Sequence, residues 1–235
     1  MNQSMRRKIR QLENQGFTYS ISQDDEDFDL FYYLMYLPYI SSRHSGRGMI
    51  LHDYESLHND FRDENLLLIK DRSKPVCGMM CRIVDDTCYA NQMGVLDGDF
   101  NLVKRGINVA LWWFMLLWSR QQGAKCYDFG CSRPHTSNGV FNFKRQWGTR
   151  VEFLNISMHS QWSFYAKTLP AKLIDNINKL GIITVVEGQC YQLIICSQSG
   201  SKIEEFSKEL KHPIECGMSG VLVISSNGES RIITE

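Results

Sequence analysis

The spacing of apolar and polar positions changes several times along this chain, and each change predicts a different element. The opening "SMRRKIRQLENQG" has helical composition and ends at Gly16, and "FTYSIS" then alternates as a strand does. An acidic cluster, "QDDEDFD", follows. Asp24 or Asp25 is placed to cap an aromatic-rich helix, "FDLFYYLMYL", whose positive end the carboxylates favour and which is expected to stop at Pro38. "YISSRHSGRG" reads as a loop and "YESLHNDF" as a short helix. Three strand patterns come next, "NLLLIKD", "VCGMMCRIV" and "TCYANQMGV", separated only by the turns "RSKP" and "DD", which predicts an antiparallel meander.

Beyond the meander the period lengthens. "LDGDFNLVKRG" reads as a loop, and "INVALWWFMLLWSRQQG" as a long helix, apolar on most faces and therefore buried across a sheet. "KCYDF" is a strand after a crossover long enough for parallel pairing. A polar turn, a short helix around "GVFNFKRQW" and a strand "TRVEFLNISM" follow. From Pro170 onward the pattern predicts a helix "AKLIDNINKLG", a strand "YQLIICS", a helix "SKIEEFSKELK" and a strand "GVLVISS". The expected division is a main domain over residues 1–165 and a small α/β extension over 166–235, which either completes the sheet or forms an annex.

Composition changes this picture little. A chain of 235 residues can bury one substantial core, and its 26 basic and 26 acidic side chains leave no net charge. That argues against a broad nucleic-acid footprint. The eight cysteines lack zinc-like spacing and lie mostly in apolar strands, so they read as core thiols in a reducing cytoplasm, with no metal site. No signal peptide follows "MNQSMRRKIR", and the longest apolar run is too short to span a bilayer.

Candidate chemistry concentrates in "YDFGCSRPHTSNGVFNFKRQWGT". A strand ends in Asp128-Phe129-Gly130, Ser132 and Pro134 form a turn, and Gly139, Phe143, Lys144, Trp147 and Gly148 complete the segment. This constellation resembles the late segment of FemAB-related N-acyltransferases within the GNAT superfamily, and the order of elements resembles the GNAT fold. The resemblance covers about half of the chain, residues 28–151. It implies an α/β (α+β) architecture with a mixed, mainly antiparallel sheet flanked by helices. It also implies an N-acyltransferase with an acyl-CoA or acyl-carrier-protein thioester as co-substrate and a small-molecule or peptide amine as acceptor. Aminoacyl-tRNA is the alternative donor, and a homodimer is compatible with the reading.

Site residues follow from that resemblance. Lys144 would stabilise a developing oxyanion or a donor phosphate, unless it is a solvated helix lysine. Asp128 would orient the amine or accept its proton, unless it caps a turn. Tyr39, Arg43, Gln92, Ser132, Asn138 and Trp147 would line the acceptor pocket, with Arg43 suited to a carboxylate. His135 lies in what reads as a flexible loop, and Asp97 reads as a turn residue. Where a glycine-rich pyrophosphate loop would precede the long helix, the chain has "NLVKRGINVA", so Lys104, Arg105, Gly106 and Asn108 are the candidates for holding phosphate at a helix start. The competing reading is a GNAT-shaped binding module without catalysis.

Overall fold

The structure, a computed structural model, describes residues 1–44, 51–152, 170–196, 217–225 and 228–234. They fall into two compact units, one of residues 3–130 and the other of residues 1–2 with 131–235.

In the first unit, helix α1 (Gln3–Glu13) buries Met5, Ile9 and Leu12, spaced for one helical face. Strand β1 (Thr18–Ser22) leads to α2 (Asp25–Leu30), whose N-cap is Asp24: its Oδ1 accepts from the Glu26 amide at 3.0 Å. Pro38 does not stop the chain there, contrary to the sequence expectation. A π-helical segment (Phe31–Tyr36) runs directly into α3 (Leu37–His44), which carries Pro38 in its first turn. The wider π turn and a first-turn position both spare the proline the clash and lost hydrogen bond it meets inside a regular helix. Much of the expected loop "YISSRHSGRG" is therefore helical. Helix α4 (Tyr54–Phe61) is capped by Asp53, whose Oδ1 accepts from the Ser56 amide at 2.8 Å.

The meander forms as its alternation demands. Strands β2 (Asn65–Asp71), β3 (Lys74–Val84) and β4 (Thr87–Val95) pair antiparallel, and β1 pairs with β2. Leu66, Leu67, Leu68 and Ile69 are all buried, because β2 is covered on both faces. The expected loop after β4 instead holds a 3-10 turn (Leu96–Gly98) and a short helix α5 (Phe100–Lys104) capped by Asp99. Helix α6 (Ile107–Gln121) packs on β2 and β3 and buries Ile107, Leu111, Trp112, Met115 and Trp118. It delivers the chain to β5 (Cys126–Asp128), which pairs parallel with β4 and closes the order β1-β2-β3-β4-β5.

A close approach explains two glycines of the meander. Gly78 and Gly94 face each other across β3 and β4. A Cβ on Gly94 would lie 2.5 Å from the Met35 carbonyl carbon and the Tyr36 nitrogen, and one on Gly78 would lie 2.7 Å from the Phe31 ring. The π segment thus rests its backbone directly on β4, and only glycine fits beneath it. Most of the predicted aromatic cluster is core: Phe28, Phe31, Tyr32, Tyr36 and Tyr39 are buried, while Tyr33 is exposed.

In the second unit, α7 (Gly139–Arg145) and α8 (Ala171–Leu180) accompany a sheet ordered β6 (Ile183–Val186), β7 (Gln189–Cys196), β8 (Met218–Ser225) and β9 (Ser230–Ile233). Strands β7 and β8 are parallel and the other pairs antiparallel. The tail builds a sheet of its own, and β6 and β9 were not expected from the sequence. Asn178 docks α8 on β7, with Nδ2 donating to the Ile195 carbonyl at 2.8 Å and Oδ1 accepting the Ile195 amide at 2.9 Å. The polar turn "RPHTSN" is not a free loop: Thr136 N donates to the Gly181 carbonyl and Ile183 N to the Pro134 carbonyl, both at 2.8 Å. The expected strand "TRVEFLNISM" from residue 153 on, and the expected helix "SKIEEFSKELK", lie outside the described residues.

Candidate active site

Strand β5 is short, and this shapes the middle of the first unit. It pairs with β4 only at Thr87–Cys126, Cys88–Tyr127 and Tyr89–Asp128. Strand β4 continues to Val95, so from Ala90 onward its outer edge has no partner strand among the described residues. Unpaired edge amides and carbonyls form a ready template for an extended ligand.

A β-bulge sits on that open stretch. Met79 pairs with Met93 and Cys81 with Ala90, so Asn91 and Gln92 together oppose the single residue between Met79 and Cys81. The extra residue turns two consecutive side chains toward the same face. Gln92 Nε2 donates to Asn91 Oδ1 at 3.4 Å, and Asn91 Nδ2 donates to Glu64 Oε1 at 2.8 Å. Glu64 is only 3% exposed, and among the described residues its Oε2 has no hydrogen-bond partner. Burial pushes the Glu64 carboxyl above its ordinary value, while the Asn91 hydrogen bond and the Arg82 charge work against that and Asp60 and Asp63 add to it. Sequence analysis missed both Glu64 and Asn91. The available signal was a glutamate set two residues before the apolar run Leu66–Ile69 in "DENLLLI".

The other candidates of this unit lie around the same strand. Tyr89 pairs with Arg82 on one side and with Asp128 on the other, and the Arg82 guanidinium sits 5.8 Å from the Tyr89 ring centre. Asp128 is half-buried at the end of β5, and its Oδ1 accepts the Gly130 amide at 2.6 Å. Tyr39 is buried on α3, the helix that also carries Arg43. Asp97 sits in the 3-10 turn with a φ of 54°.

Past the C-terminal end of β4, Gly106 adopts a φ of 94° and starts α6, whose first amides lack intrahelical acceptors. Lys104 is exposed, its ammonium 5.0 Å from the Phe100 ring centre. Arg105 is already engaged: Nη2 lies 2.9 Å from Asp71 Oδ2, and the guanidinium lies over Phe17. Asn108 Oδ1 is buried with no hydrogen-bond partner among the described residues. Lys104 and the first amides of α6 are thus the groups suited to an anionic donor.

Ser132, Asn138, Lys144 and Trp147 belong to the second unit. Asn138 Oδ1 caps α7 by accepting the Val140 and Phe141 amides, each at 3.0 Å. Lys144 Nζ donates to the Cys131 carbonyl at 2.7 Å, tying α7 to the start of the turn. Trp147 is buried and meets Phe143 edge to face, and Ser132 is half-buried. Among the described residues no group of His, Cys, Asp and Glu could hold a metal ion, and no helix is long and apolar enough to cross a membrane.

No curated protein matches the chain in sequence. Solved structures similar to it include an aminoglycoside acetyltransferase from an uncultured soil metagenomic sample, in complex with sisomicin, at 14% identity and a TM-score of 0.42, over 68% of this chain and 99% of that one. FemX is similar at 15% identity and a TM-score of 0.45, over 63% of this chain but only 54% of its own. An aminoglycoside N-acetyltransferase in complex with CoA is similar at 11% identity and a TM-score of 0.37, over 64% of this chain and 94% of that one. The sequence model described as an acetyltransferase (GNAT) domain matches residues 1–145, more than half of the chain and the whole stretch from α1 through β4 to α7; the chain belongs to the GNAT acetyltransferase family and is an acyltransferase.

Proposed function

We propose that the chain transfers an acyl group from an acyl-CoA thioester to an amine by direct attack, without a covalent enzyme intermediate. The observation that carries this reading is the stretch of β4 from Ala90 onward, whose outer edge has no partner strand among the described residues and which leads, past its C-terminal end, to the start of α6. An extended amide-bearing arm of the donor can add to the strand edge as a further strand would. Its phosphates then meet Lys104 and the first amides of α6, where the helix dipole favours negative charge.

On the acceptor side, the bulged face of β4 offers Gln92, with Asp128 at the end of β5 and Tyr39 and Arg43 on α3 as further contacts. The amine must be neutral to attack, and Asp128 is the carboxylate placed at a strand end to take its proton. The nitrogen bonds to the acyl carbon, the carbon–sulfur bond breaks, and the thiolate leaves and is protonated. Lys144, with Ser132, Asn138 and Trp147, is retained as a second set of candidates, Lys144 for charge on the carbonyl oxygen or a donor phosphate. A carrier-protein thioester would use the same strand edge. A charged tRNA would draw its affinity from phosphate contacts, which a chain of zero net charge supports less.

The test is thiol release from acetyl-CoA and longer acyl-CoAs with spermidine, sisomicin and a lysine-containing pentapeptide as acceptors, beside aminoacyl transfer from charged tRNA. Thiol release that depends on an amine, with CoA affinity weakened about tenfold in Lys104→Ala, supports the reading. Transfer from charged tRNA alone, or no transfer from any donor, overturns it.

A further inference from the structure

We infer that Glu64 is a positioning residue of the acceptor site, holding Gln92 in place through the Asn91 side chain. This inference rests on the acyltransferase reading above. It starts from a carboxylate that is hard to explain as packing: a glutamate 3% exposed, at the mouth of an apolar strand, whose Oε1 accepts from Asn91 Nδ2 at 2.8 Å. Burying a carboxyl is costly unless it is hydrogen-bonded, and its second oxygen has no partner among the described residues.

The hydrogen bond fixes which way the Asn91 amide faces. Oε1 accepts from Nδ2, which turns Nδ2 toward Glu64 and leaves Oδ1 facing away from it. Asn91 Oδ1 in turn takes Gln92 Nε2 at 3.4 Å, a long contact that becomes well directed only while Asn91 is held. The Gln92 amide is thereby oriented, and its carbonyl oxygen is the group able to accept a hydrogen from an incoming amine. The bulge makes the relay geometrically feasible. In a regular strand Asn91 and Gln92 would point to opposite faces, and no such contact could form. Asp60, Asp63, Arg82 and Cys81 are the charged or titratable groups near Glu64. None of them has a hydrogen bond to the Asn91 amide among those described here, so orientation of that amide falls to Glu64.

Two measurements test the inference. The first needs no substrate: the side-chain amide resonances of Asn91 and Gln92 in the ¹⁵N-labelled full chain. Glu64→Leu is expected to shift both pairs, and Asn91→Ala to shift the Gln92 pair. An unmoved Gln92 resonance in both variants overturns the relay.

The second is steady-state kinetics with acetyl-CoA and whichever of spermidine, sisomicin and the lysine pentapeptide the wild type uses with the highest kcat/KM. Glu64→Leu and Asn91→Ala are each expected to raise the amine KM about tenfold and leave the acetyl-CoA KM unchanged. Glu64→Gln, which keeps a carbonyl acceptor for Asn91, is expected to restore most of the loss. Combining Glu64→Leu with Gln92→Leu is expected to cost no more than Gln92→Leu alone. Equal rises in both KM values, or additive losses, would make Glu64 merely structural. Asn91 is exposed, so Asn91→Ala keeps the test readable even where Glu64→Leu fails to fold. A wild type that acylates no amine removes the underlying acyltransferase reading instead, and this inference falls with it.

Discussion

Trp112 and Phe129 stack face to face, with ring centroids 4.3 Å apart and planes 4° from parallel. The contact joins the middle of α6 to the residue that follows β5, so it fixes where the Asp128-Phe129-Gly130 segment leaves the sheet. Trp112→Ala is expected to cost about 3–5 kcal/mol, as truncation of a buried tryptophan does. Phe129→Leu should cost about 1 kcal/mol, chiefly the aromatic term. Urea unfolding of the two single variants and the double variant measures the coupling, which should be of the same order as the Phe129→Leu loss.

Gly94 separates two backbones, whereas Gly139 meets nothing. Gly94→Ala must push β4 away from Met35 and Tyr36, where no side chain can yield, and a loss of about 2–3 kcal/mol is expected. At Gly139, in the first turn of α7, a Cβ has open space, so alanine should be neutral or stabilise by a few tenths of a kcal/mol. Thermal melts of both variants, run side by side, check the contrast.

Glu64 should leave a mark on stability against pH. Its folded value is raised, chiefly by burial, so between the ordinary glutamate value and the raised one the folded chain binds more protons than the unfolded chain. The contribution of this group to stability is therefore greatest below the ordinary value. It declines as pH rises through the folded value and is level above it. Subtracting the Glu64→Gln unfolding profile from that of the parent chain isolates this decline, and a difference that rises with pH over that window would contradict it.

Asn138 caps α7 with one oxygen shared between two amides. Asn138→Ala should cost about 1 kcal/mol, and Asn138→Asp should retain the cap and gain slightly from the helix dipole. Chemical denaturation measures the order, which is expected to be Asp at or above Asn, and Ala lowest.

Much of this architecture was legible in the chain. Strands β2, β3 and β4 alternate or run apolar between short turns, and α6 announces itself by continuous apolar character, so local pattern and tertiary burial agree. Pro38 misled because its usual effect assumes a regular α-helix before it, and no sequence rule marks the π segment of Phe31–Tyr36. Strands β6 and β9 are only four residues each, too short to establish a period. For the candidate site, the motif of residues 127–149 singled out Asp128 and Lys144, and the separate stretch "NLVKRGINVA" singled out the start of α6. The contact between Glu64 and Asn91 stayed hidden because it depends on pairing across β2, β3 and β4, and a bulge is a property of register that a single strand does not display.

That bulge has one more consequence. Asn91 and Gln92 share the place of one residue, so β4 is a residue longer than its partner requires. Removing Gln92 would restore unbroken alternation: Met93, Gly94 and Val95 would keep their present partners and their present faces. The framework would lose nothing, and one ladder irregularity would disappear. The extra position is thus a guest in the strand, able to vary without shifting the register of the core that hosts it. Away from Asn91 and Gln92, gaining or losing a single residue of β4 would turn the rest of the strand inside out.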